Sequence, residues 1–249
     1  MIETLFTWEN GAALAALTAL EIVLGIDNLV LLAILSGKLP EHRQPLARRL
    51  GLIGAMIMRL VLLAGISWVM GLTRPWLDLL GHEFTGKSLV LLLGGAFLVY
   101  KATREIHKDL ETDKEEETHT RVRATFTGVI AQVVVMDMVF SLDSVITAVG
   151  MVKADESNPH GFWVMAAAIV ISVLVMLWFV GPIARFIHKH PTTKMLALAF
   201  MLMIGVVLVA DGLGHHIERA YIYSAMAFSL FVEMLNLRRK KVVAGDVAQ

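Results

Sequence analysis

Two distant eight-residue stretches repeat one arrangement of chemical types. Glu21-Ile-Val-Leu-Gly-Ile-Asp27-Asn28 and Asp137-Met-Val-Phe-Ser-Leu-Asp143-Ser144 both read acid, apolar, Val, apolar, small, apolar, Asp, small polar. Every donor in them is an oxygen, on Glu21, Asp27, Asn28, Asp137, Asp143 and Ser144, and neither contains His or Cys. Such a set suits hard cations, Mg²⁺, Ca²⁺ or Mn²⁺, and disfavours soft ones such as Cu(I). On a helix, residues seven apart lie about 20° from eclipsed and roughly 10 Å apart along the axis. Glu21 and Asn28 therefore share a face, as do Asp137 and Ser144, while Asp27 and Asp143 sit about 100° around. Gly25 and Ser141 interrupt the apolar runs and permit close helix approach or local unwinding.

The elements that carry these stretches are apolar. The chain has 249 residues, of which 57% are hydrophobic and 18% charged, and its mean hydropathy is +0.69. Soluble domains carry about a quarter charged residues. A bilayer core needs roughly 20 apolar helical residues, and seven candidate spans read at about 11–35, 50–71, 88–100, 125–152, 162–181, 195–210 and 220–237. The third is short, with Lys101 and Arg104 placed to snorkel; a re-entrant segment is the alternative. Equal numbers of basic and acidic residues, 22 each, argue against a nucleic-acid partner. Zero cysteines exclude disulfides, thiolate metal sites and a cysteine nucleophile.

Loop charge sets the orientation, because cytoplasmic loops collect Lys and Arg. Lys38, Arg43, Arg48 and Arg49; Lys101, Arg104, Lys108, Lys114, Arg121 and Arg123; Arg185, Lys189 and Lys194; and Arg238 to Lys241 fall on one side, seventeen in all. The other side holds four, Arg74, Lys87, Lys153 and Arg219. This puts the N-terminus outside and the C-terminus in the cytoplasm. Met1–Asn10 has no basic residue, so the first span reads as an uncleaved membrane helix rather than a signal peptide. The acidic run Glu111–Glu117 reads as a solvated linker.

The octapeptides lie in the first and fourth spans. Thr85-Gly-Lys-Ser-Leu89 and Thr192-Thr-Lys-Met-Leu196 echo each other at the entrances of the third and sixth. Units of three spans must point in opposite directions, which is the inverted repeat of secondary transporters, with the ion site near the midplane. The expectation is an all-α, polytopic membrane bundle of about seven helices in one domain, 1–249. Repeat 1 covers about 11–104, an acidic linker about 105–123, repeat 2 about 124–213, and an additional helix about 219–237.

Each carboxylate placed centrally in a bilayer costs about 2.5–3.5 kcal/mol, so Glu21, Asp27, Asp137 and Asp143 must face one another, water or a cation. Accessory candidates are Gln132, about a turn before Asp137 and able to orient it; Glu233, a further ligand, proton relay or interfacial acid; Asp211, interfacial at the end of the sixth span; and Arg59, a counter-ion or snorkelling residue. Met56 and Met58 read as packing.

With those motifs in place, the chain resembles the TerC family of integral membrane proteins, named for tellurium resistance. The resemblance rests on Glu21–Asn28, Arg48-Arg-Leu-Gly-Leu-Ile-Gly-Ala55 with Met58-Arg59, Phe140-Ser-Leu-Asp-Ser-Val-Ile-Thr-Ala-Val-Gly150, and His190-Pro-x-x-Lys-Met-Leu-Ala197. It implies a metal-ion exporter of the inner membrane, with Mn²⁺ the leading substrate. Some relatives add a cytoplasmic domain with CBS modules, absent from this chain, so nucleotide regulation is not expected.

The expected function is therefore secondary export of divalent cations through the carboxylates, by proton antiport. No enzyme activity, resident cofactor or ATP-binding loop is expected; the partners are the metal ion and membrane lipid. The alternatives are a membrane scaffold that assists metalation or tellurite resistance without transport, and, more remotely, an intramembrane aspartyl hydrolase. Four acids in duplicated pairs exceed what a catalytic dyad needs.

Overall fold

In lipid, the backbone must satisfy its own hydrogen bonds, so apolar runs without breakers become long helices. The computed structural model describes residues 8–73, 75–79, 82–111, 125–152 and 161–246. Its helices are α1 (Trp8–Ser36), α2 (Gln44–Ala64), α3 (Ile66–Gly71), α4 (Gly86–Glu111), α5 (Phe126–Val152), α6 (Gly161–Lys189), α7 (Pro191–Gly212) and α8 (Arg219–Asp246). Two short strands, β1 (Pro75–Leu79) and β2 (His82–Thr85), pair antiparallel between α3 and α4.

Among the described residues, five helices are long and apolar enough to cross a membrane: Asn10–Ser36, Phe126–Val149, Gly161–Lys189, Pro191–Gly212 and Ala220–Arg239. The second and third expected spans are not among these five. The second is divided at Gly65, whose φ of −85° and ψ of 21° end α2 and begin α3. The third is longer than its apolar stretch implies, because α4 carries on past Tyr100 for a total of 26 residues.

Side-chain contacts give the helix directions. Glycines on α1 set α6 parallel to it: Gly25 lies against Met176, and Gly37 against His188. Gly51 against Val133, Gly54 against Val134 and Arg59 against Asp137 set α2 parallel to α5. α4 runs antiparallel along α7, with Gly212 against Ser88 and Leu92, Gly95 against Gly205, and Asp109 paired to Lys194. The α4–α7 approach is backbone to backbone, since a Cβ on Gly95 would lie 2.7 Å from the Gly205 carbonyl oxygen and 2.8 Å from the Val209 nitrogen. Such small-residue contacts stand in for the hydrophobic drive that helices lack in lipid.

Candidate cation site

α1 and α5 meet antiparallel at the two octapeptides. The Asn28 amide Nδ2 donates to Asp137 Oδ1 at 2.5 Å, and the Ser144 hydroxyl is bonded to Glu21. The first acid of each stretch thus pairs with the last polar residue of the other. Glu21 and Asp137 are both buried, 3% and 2% exposed, and Arg59 reaches from α2 between them. Its Nη1 is paired to Glu21; its Nη2 lies 2.6 Å from Asp137 Oδ1 and its Nε 3.0 Å from Oδ2. This is the forked geometry for which guanidinium is suited. Ser141 completes the Asp137 shell, its hydroxyl 2.9 Å from Oδ2 and 2.6 Å from the Asp137 carbonyl oxygen.

The helices pass through this point unbroken. Gly25 serves close approach: a Cβ there would lie 2.5 Å from Met176 Sδ. Neither Gly25 nor Ser141 unwinds its helix. Two buried oxygens on α1 have no hydrogen-bond partner among the described residues: Asn28 Oδ1, at the cluster, and Thr18 Oγ1, nearly one turn before Glu21 in the chain. Asp27 and Asp143 belong to α1 and α5, but their side chains lie outside the described ones. Among the described residues, no three His, Cys, Asp or Glu side chains cluster. Among the described side chains, Glu21 and Asp137 are the two acids of these stretches that come together, with Asn28, Ser144 and Arg59.

The octapeptides sit inside a match that covers nearly the whole chain: the sequence model of the family described as "Integral membrane protein TerC family" fits residues 6–246. The chain belongs to the TerC family. It is 47% identical over 241 residues to the UPF0053 inner membrane protein YgdQ of Escherichia coli K12, covering 95% of this chain and 98% of the relative. It is 43% identical over 243 residues to a UPF0053 protein of Haemophilus influenzae, covering 96% and 100%. It is 48% identical over 225 residues to the UPF0053 inner membrane protein YoaE of E. coli K12, covering 90% of this chain and 42% of the relative. No solved structure matches it.

In this TerC-family chain, Glu233 and Asp211 stand apart from the α1–α5 pair. Glu233, on α8, accepts a hydrogen bond from Thr192 at the start of α7. Asp211 is at the other end of α7, 3.3 Å from His216 Nδ1 and 3.4 Å from the Ile217 amide nitrogen. It serves the turn after α7, where Gly214 takes a φ of 86°. Gln132 does not orient Asp137 through its amide, because its buried Nε2 has no partner among the described residues.

Sequence reasoning placed Arg59 at the margin, and the structure puts it at the centre. The signal was present, for Arg59 is the one basic residue inside a predicted span, and buried acids need a partner. Ser141 was missed as a hydrogen-bond partner of Asp137. A second correction concerns phosphate binding. Gly81-His-Glu-Phe-Thr-Gly86-Lys87-Ser88 does fit the phosphate-loop spacing G-x-x-x-x-G-K-[ST], although none was expected. The four central residues form strand β2, paired to β1, rather than an open loop. The Ser88 amide is already capped by the Thr85 hydroxyl at 3.0 Å. Without a free backbone cradle, the spacing carries no nucleotide site.

Proposed function

We propose that this chain is a secondary exporter of divalent cations, with Mn²⁺ as its substrate, moving the ion from the cytoplasm through the Glu21–Asp137 region in exchange for protons. The observation that carries the reading is the reciprocal pairing of the octapeptides, Asn28 with Asp137 and Ser144 with Glu21. It joins two acidic motifs on antiparallel helices at one buried point, as expected where inverted repeats meet. The oxygen-only donors favour a hard cation, and the family resemblance narrows the choice to Mn²⁺. Asp27 and Asp143 supply the remaining anionic ligands in this reading.

Helix directions support seven crossings and a three-plus-three inverted repeat. α5 runs against α1, so an odd number of crossings separates the ends at which the two begin. α4 lies beside the whole of α7, itself long and apolar enough to span, from Ser88 at one end to Asp109 at the other. Exchanging α1 with α5, α2 with α6 and α4 with α7 turns the α1–α6 packing into α5–α2, which also occurs. The same exchange leaves α1–α5, α2–α6 and α4–α7 as contacts. This supports repeats at about 11–104 and 124–213, with 105–123 as linker and 219–237 as the additional helix. The basic loops put the N-terminus outside and the C-terminus in the cytoplasm.

The test is divalent-ion uptake into inverted vesicles with an imposed pH gradient and competing metals. Mn²⁺ accumulation above that of vesicles lacking the protein is the expected result. No accumulation of any divalent ion would leave the scaffold reading in its place.

A further inference from the structure

We propose that Arg59 is a resident cation: its guanidinium holds the place between Glu21 and Asp137 that the transported divalent ion takes, and the ion enters by displacing it. The inference rests on reading this pair as the ion site, and adds what occupies the site between transport events.

The surroundings leave no room for bare carboxylates. Along α1 from Asn28 to Ser36, every residue but Val30 is buried. On the other side, Glu21 borders a small cavity whose remaining lining is apolar, Leu17, Leu63, Val145 and Ile169 among it. Neither direction offers water to two adjacent anions, and a buried charge stripped of its partner is strongly destabilising. A cation must therefore sit between Glu21 and Asp137 at all times. Arg59 meets that need through three nitrogens, divided between the two acids.

Two features show that the guanidinium does not complete the site. Arg59 brings one positive charge to two carboxylates, whereas a divalent ion brings two. Asn28, 6% exposed, points its amide donor at Asp137 and leaves its carbonyl Oδ1 without a donor among the described residues. Arg59 cannot use both lone pairs of every oxygen around it, and a spherical ion draws acceptors from all directions. The two carboxylates and the spare Asn28 oxygen form a donor set that a metal ion uses more fully than a planar fork does. The tethered arginine then leaves the empty pair with one net negative charge in place of two. The displaced guanidinium loses its own buried partners, and that cost sets a threshold that only a doubly charged, oxygen-seeking ion overcomes.

The experiment uses the purified full chain in lipid nanodiscs, with Mn²⁺ alone as the probe, titrated calorimetrically. Arg59→Gln removes the competitor, and its Mn²⁺ affinity is expected to rise at least about tenfold, ~1.4 kcal/mol, while transport in liposomes falls. Arg59→Lys keeps the charge without the fork and is expected to bind several-fold more tightly than the natural chain; it carries the test if Arg59→Gln does not fold. In Arg59→Gly, free guanidinium ion at non-denaturing concentration is expected to compete with Mn²⁺, and in the natural chain it is not. If the natural chain binds Mn²⁺ and the folded variants bind it equally or more weakly, the resident-cation inference falls and the exporter reading stands. If neither the natural chain nor the folded variants bind Mn²⁺, the Mn²⁺ exporter reading fails and takes this inference with it.

Discussion

The Asn28 amide donates to the Asp137 carboxylate at 2.5 Å, and the position equivalent to Asn28 in the other octapeptide, Ser144, bonds the acid equivalent to Asp137, Glu21. Two sequence-related helices that cross antiparallel and satisfy each other in this way are related by a local two-fold. Arg59 breaks that symmetry. The offset shared by Gly25–Met176 and Gly37–His188, carried along α1 and α6, brings Ser172 level with Glu21. Ser172 is buried and turns its hydroxyl back to the Ile169 carbonyl oxygen at 2.8 Å. The α2–α5 pair brings a charge to the acids, whereas the Ser172 hydroxyl on α6 is satisfied within its own helix.

Asp27→Asn and Asp143→Asn keep shape while removing an anionic ligand. Either is expected to reduce Mn²⁺ export to background with protein abundance unchanged, since Asn inserts into a bilayer at no greater cost than Asp. Vesicle uptake alongside quantitative immunoblotting checks this. Normal export by both variants would make these carboxylates structural.

Orientation is open to a direct check. Reporters fused after Lys114 and Lys241 are expected to be cytoplasmic, and one after Asn158 external, from the basic loops and the opposed directions of α1 and α5. A cytoplasmic signal at Asn158 would overturn the inverted repeat.

The α4–α7 seam predicts a stability effect remote from the site. A Cβ at Gly95 meets backbone atoms at 2.7 and 2.8 Å, which cannot rotate away as a side chain can. Gly95→Ala is expected to destabilise by about 1–3 kcal/mol, read as a lowered melting temperature in detergent. Gly11→Ala, with nothing within 4 Å of the added carbon, is expected to leave the melting temperature near that of the natural chain. Equal melting temperatures for both would mean that α4 and α7 separate freely.

Much of this arrangement was legible in the sequence. Matched acids in two apolar stretches marked the helices α1 and α5, and buried charge demands a partner whatever the fold, but the pairing of Asn28 with Asp137 and of Ser144 with Glu21 appears only in the packing. The partner itself was harder to name. Snorkelling and ion pairing leave the same trace for an arginine in a span, and only the packing of α2 on α5 places Arg59 beside Asp137. Helix ends were also obscured. Hydropathy stops at Tyr100, but α4 continues through Lys101 and Arg104, because Glu105 pairs with both Lys38 and Lys101 and holds the polar turns in place. Gly65 looked like one more small residue in an apolar run, yet it divides α2 from α3.

Proton coupling is the last expectation. Metal ligands must be ionised to bind, so a proton on Glu21, Asp27, Asp137 or Asp143 competes with the metal. Lower pH therefore weakens Mn²⁺ binding, and the loss grows as more of these carboxyls protonate. Arg59 sharpens the accounting for the central pair. The guanidinium replaces one of the two positive charges that leave with the ion, and one proton supplies the other. An inward proton gradient then favours release of metal outside and return of the carrier with Arg59 and a proton in place. The check is purified protein in liposomes loaded with a pH-sensitive dye. Added Mn²⁺ is expected to move protons opposite to the metal, with both fluxes lost in Asp143→Asn. At clamped membrane potential, an imposed pH gradient is expected to drive Mn²⁺ against its own. Metal flux indifferent to that gradient would point instead to a uniporter or a different counter-ion, with Arg59 as the sole charge replaced at the central pair.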